Sequence, residues 1–97
     1  MKRQLRYADA GRSGTIRYIS KQTQFDLWYE FAGGNAIVII GIPSPQHWEF
    51  QTKTALSQRT KILNFIGKQV INDRIQGDGY FSIDDTILTI YSGRDPR

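Results

Sequence analysis

The chain has 97 residues, of which 39% are apolar, 23% charged and 12% aromatic, a length and balance that fit one folded domain and exclude a disordered tail. It contains no cysteine, which removes disulfide scaffolds, thiol nucleophiles, iron–sulfur clusters and cysteine-ligated zinc. The formal charge of +4 is that of an ordinary soluble surface and does not by itself demand a polyanionic partner.

Residues 3–8 and 14–20 predict a first hairpin. Leu5 and Tyr7 alternate with Gln4 and Arg6, and residues 15–19 are rich in β-branched and aromatic side chains. Residues 9–14 between them have turn composition. Residues 25–31 alternate strictly, with Phe25, Leu27, Tyr29 and Phe31 on one face and Asp26, Trp28 and Glu30 on the other, the pattern of a half-buried strand. Ala32, Gly33, Gly34 and Asn35 follow, and residues that accept positive φ predict a hairpin turn there. Residues 36–42 are apolar on both faces, which places them in the middle of a sheet. Pro43 cannot donate to a ladder and ends the strand, and Pro45 stiffens the connection that follows.

Residues 46–56 admit either a short strand through Trp48 and Phe50 or a helical turn at 45–50 capped by Ser44, and the turn is favoured. Residues 57–76 predict the one long helix. Ser57 is its expected N-cap, and Ile62, Leu63, Ile66 and Val70 fall within one apolar arc opposite Lys61, Asn64, Lys68 and Asn72. Arg74 suits the negative end of the helix and Gly77 its stop. Gly67 costs about 1 kcal/mol relative to alanine inside a helix, so it points to a close approach between helix and strand. Residues 79–83 and 87–92 predict a last hairpin across Asp84 and Asp85, and residues 93–97 a frayed tail.

The expected fold is therefore α+β: a single domain over residues 1–97, with a curved antiparallel sheet of about six strands in the order ββββ-α-ββ and one long helix on one face. One helix covers only part of such a sheet. Curvature, the 43–56 connection or a second subunit must cover the rest, and a homodimer with Trp28 near the contact is expected.

Few residues suggest chemistry. Gly33 and Gly34 lead into a strand, whereas a phosphate-cradling loop opens a helix. Asp84 and Asp85 read as turn formers. The single histidine, His47, with Glu49 or Glu30 to orient it, is the only hint of acid–base catalysis, and no nucleophile motif accompanies it. No enzyme activity, catalytic residue, cofactor or metal is expected. The basic N-terminal run lacks an apolar core and the longest apolar run has seven residues, so neither a signal nor a membrane span is expected and the location is taken as cytoplasmic.

The leading functional expectation is a non-catalytic module that binds a protein partner or itself through an aromatic sheet face, with Trp28, Glu30 and Trp48 as partner-binding residues. The competing use of these aromatics is a second small core under the 43–56 connection. The alternative function is single-stranded nucleic-acid binding through Arg3, Arg6, Arg17, Lys61 and Lys68, which requires the basic segments 1–24 and 59–77 to share one face. An enzyme using His47 is a further alternative.

Overall fold

A computed structural model describes residues 2–34, 36–75 and 77–96. Asn35, expected in a hairpin turn, and Gln76, expected at the end of the long helix, lie outside the described residues, as do Met1 and Arg97. The chain forms β1 (Gln4–Ala10), β2 (Ser13–Ile19), β3 (Gln24–Phe31), β4 (Ala36–Gly41), α1 (Trp48–Thr52), α2 (Arg59–Arg74), β5 (Gly79–Ile83) and β6 (Ile87–Ser92). The six strands make one antiparallel sheet in the order β1-β2-β3-β4-β6-β5, with α2 packed on one face.

The expected α+β architecture is present, and so is the central place of the doubly apolar strand. β4 lies between β3 and β6, and Val38 and Ile40 reach the core with Leu88 and Ile90 of β6. From β3 the core takes Leu27 and Tyr29, and from β2 Ile16 and Tyr18. Helix α2 closes it with Ile62, Leu63, Ile66 and Val70, the four residues of the predicted apolar arc. The core is thus one contiguous cluster between a sheet face and a helical stripe.

Three local expectations need correction. The first hairpin has a longer first strand, a second strand that starts one residue earlier, and a tighter turn than residues 9–14 suggested. Asp9 and Ala10 pair with Gly14 and Ser13, leaving Gly11 and Arg12 as the turn. Cross-strand pairing extends into a stretch whose composition reads as loop. The long helix does not begin with Ser57 as its N-cap. A 3₁₀ turn, Leu56–Gln58, precedes α2, and the Glu49 carboxylate accepts the Leu56 amide at 2.9 Å, so a distant side chain satisfies the amide at the start of that turn. The helical turn between Pro43 and the long helix is present but lies later than 45–50, over Trp48–Thr52.

Gly67 does mark a close approach. A Cβ there would stand 2.7 Å from Cγ and Cδ1 of Phe81 on β5, well inside van der Waals contact. Arg59 ties the start of α2 to the sheet. Its guanidinium donates to the Pro43 carbonyl at 3.1 Å and to the Asp85 carbonyl at 2.9 Å, joining the end of β4 and the β5–β6 turn.

Candidate functional site

Among the described residues, no helix or further strand packs on the face of the sheet opposite α2. Strand alternation places on it Arg6 and Ala8 of β1, Thr15 and Arg17 of β2, Asp26, Trp28 and Glu30 of β3, Ile39 and Gly41 of β4, Ile87, Thr89 and Tyr91 of β6, and Tyr80 and Ser82 of β5. Trp28 stands near the middle of this surface and is 50% exposed. Gly41 on the neighbouring strand makes room for it: a Cβ there would meet Trp28 Cε3 at 3.4 Å. Farther along, the rings of Tyr80 and Tyr91 stack at 4.8 Å across β5 and β6, and Ile39 and Ile87 lie between them and Trp28 in the sheet order. The result is an open aromatic and aliphatic surface on a rigid sheet.

The charges on this surface balance. The guanidinium of Arg17 donates to both carboxylate oxygens of Asp26, at 2.8 and 3.2 Å. That hydrogen bond holds the Asp26 carboxyl below its ordinary range, and the Asp26 carboxylate raises Arg17 in turn. Arg6 and Glu30 are the remaining charged strand residues of the face, one of each sign. The overall positive charge of the protein therefore does not come from here.

Trp28 and Glu30 lie on the exposed face as expected, but Trp48 does not. It is fully buried, its ring 5.7 Å from Phe25, and its indole N–H donates to the Ala55 carbonyl at 3.1 Å. Tyr18 and Phe25 stack beside it at 5.1 Å. Trp48 thus forms part of the core under the 43–56 connection and offers no surface to a partner. Of the residues that complete the open face, Tyr80 and Tyr91 belong to the aromatic stock that the sequence offers for a binding surface, whereas Ile39 and Ile87 carry no such mark. The available signal was parity: each alternates with a core residue of its own strand.

The five cations considered for nucleic-acid binding do not share a face. Arg6 and Arg17 lie on the open sheet surface, where Arg17 is committed to Asp26. Arg3, Lys61 and Lys68 line a cleft on the helical side. The alternation of β1 separates Arg6 from the side that carries Leu5 and Tyr7.

His47 and Glu49 do not form a dyad. His47 Nδ1 lies 2.8 Å from Ser44 Oγ, and the Glu49 carboxylate is engaged by the Leu56 amide. Asp84 and Asp85 lie in the β5–β6 turn, where the Asp84 amide donates to the Ile87 carbonyl at 2.7 Å. Among the described residues, no group of three or more histidine, cysteine or acidic side chains could hold a metal, and no helix is long and apolar enough to cross a membrane.

In comparisons with known proteins, no family model, no curated protein and no solved structure matches the chain.

Proposed function

We propose that this protein is a non-catalytic interaction module that associates with a second copy of itself through the open sheet face. The observation that carries this reading is Trp28, half-exposed on Gly41 near the middle of a charge-balanced sheet surface that carries Ile39, Ile87, Tyr80 and Tyr91 to one side of it. A central aromatic anchor with less polar contacts at its sides is the usual energetic focus of an interface. Charge balance favours a like partner: two copies of a neutral face do not repel, whereas a polyanion gains nothing from it.

The available area is adequate for a homodimer. Six strands at ~4.8 Å, with about six residues each at ~3.3 Å, give a face of roughly 550 Å² per copy and ~1,100 Å² in all. That is near the lower limit for a specific interface, so a reversible dimer is the expected form. An axis running along the strand direction between β3 and β4 places the Trp28 side chains of the two copies close together.

Sedimentation velocity over a wide concentration range tests this reading. The wild-type protein should move from monomer to dimer. Trp28→Ala should weaken the dimer by about 30-fold, corresponding to ~2 kcal/mol for a central aromatic. Ile39→Lys, which places a charge in the same face, should abolish it. A wild-type protein that stays monomeric at every concentration, or variants that dimerise as well as it does, would exclude this interface.

A further inference from the structure

Two clefts on the helical side of the molecule share Arg3 and Lys61. The first runs from them along α2 past Asn64, Phe65 and Gln69 to Lys68. The second, about 570 Å³, lies between the β2–β3 turn and the start of α2, where Ser20, Thr23, Thr54 and Gln58 surround a floor that includes Tyr18 and Ile62. Among the described residues, no acidic side chain lines either cleft.

The three cations line one cleft. Lys61 and Lys68 are two helical turns apart on one face of α2, ~10.5 Å along its axis. Phe65 lies between them, and the Arg3 guanidinium rests over its ring, 4.5 Å from the centroid. The ring thus anchors Arg3 in the cleft that Lys61 and Lys68 also line. Among the described residues these three side chains form no ion pair, whereas Arg17, Arg74 and Arg94 each do. Three cations gathered in one cleft whose described lining holds no carboxylate suit an anion that repeats along a chain. The neighbouring cleft, whose lining beyond Arg3 and Lys61 is uncharged and rich in hydroxyl and amide groups, suits a base and sugar at one end of that chain.

We propose that this cleft binds single-stranded nucleic acid, with consecutive phosphates along Lys61, Arg3 and Lys68 and one nucleoside in the cleft beside Ser20, Thr23 and Gln58. The site lies on the opposite layer from the sheet face and does not depend on self-association. Nor does it use Arg6 or Arg17.

Fluorescence anisotropy with a labelled octauridylate provides the test. Three neutralised phosphates on a single strand predict a slope of about −2 in log affinity against log salt, or roughly a 20-fold loss between about 50 and 200 mM. Lys61→Ala and Lys68→Ala, both at exposed positions, should each reduce that slope by about 0.7. Arg6→Ala on the other face should leave it unchanged, and Trp28→Ala should bind the strand like the wild type. The proposal is overturned by lack of binding at low salt, by equal effects of Arg6→Ala and Lys61→Ala, or by an octaglutamate peptide that displaces the strand at equal charge concentration.

Discussion

Replacing Gly67 with alanine sets two effects of opposite sign against each other. In an exposed helix the change stabilises by about 1 kcal/mol, because alanine loses less backbone entropy on folding. Here the new methyl group would stand 2.7 Å from Phe81 Cγ and Cδ1. Those atoms are at the root of the ring, so turning the side chain about its last bond does not remove the clash. Forcing an extra carbon into a packed contact typically costs about 1–3 kcal/mol. The balance is a net loss of ~1 kcal/mol, which for a domain of this size lowers Tm by roughly 4–8 °C. In a Phe81→Ala background the clash is absent, and the same substitution should stabilise by about the propensity term. The coupling between the two sites is then ~2 kcal/mol, far above the additivity error for independent positions. Urea denaturation of the four proteins of this cycle, followed by circular dichroism, measures it. A Gly67→Ala protein more stable than wild type, or an equal effect in both backgrounds, refutes the claim that this glycine exists for the helix–strand contact.

Two further outcomes follow from single tyrosine hydroxyls. Tyr29 is 2% exposed and its hydroxyl is buried with no hydrogen-bond partner among the described residues. Tyr29→Phe should therefore stabilise the fold by about 1 kcal/mol, and a loss of stability in urea denaturation would show that the hydroxyl is satisfied in solution. Tyr7 donates its hydroxyl to Asp73 at 2.7 Å, and burial, with that acidic partner, raises its pKa well above the ordinary 10.0. The unfolded phenol ionises near its ordinary value while the folded one keeps its proton. Stability is therefore complete below pH ~10 and falls as pH rises above it. Tyr7→Phe should flatten that alkaline limb in a series of melting curves, and an unchanged slope would assign the limb to other groups.

Much of the architecture is legible in local periodicity. The alternation from Phe25 to Phe31 identifies both the strand and its buried side, and Leu27 and Tyr29 are indeed core residues. The apolar arc of Ile62, Leu63, Ile66 and Val70 identifies the helix and its docking face in the same way. The last hairpin appears over Gly79–Ile83 and Ile87–Ser92, where its β-branched runs flank two aspartates. These features are local because a side chain's direction repeats every two residues in a strand and every 3.6 in a helix. The start of α2 was less legible. Glu49, seven residues earlier in the preceding short helix, accepts the Leu56 amide, a spacing that no regular helical or strand period announces.

The candidate sites divide along the same line. The two tryptophans stand in similarly polar surroundings in the sequence, yet Trp28 faces outward and Trp48 is enclosed by Phe25 and the Ala55 carbonyl. Periodicity settles Trp28, which sits in a regular strand, but not Trp48, which sits in an irregular connection whose path depends on where β4 ends and α2 begins. The same holds for charge. Composition alone establishes an excess of cations, and strand parity sends Arg6 to the open face. Only the packing of α2 beside the start of β1 brings Arg3 over Phe65 and into one cleft with Lys61 and Lys68. Sequence by itself determined the elements and their buried faces, because those follow from repeating backbone geometry. Tertiary structure alone decided which surface groups meet, because that depends on contacts between segments far apart in the chain.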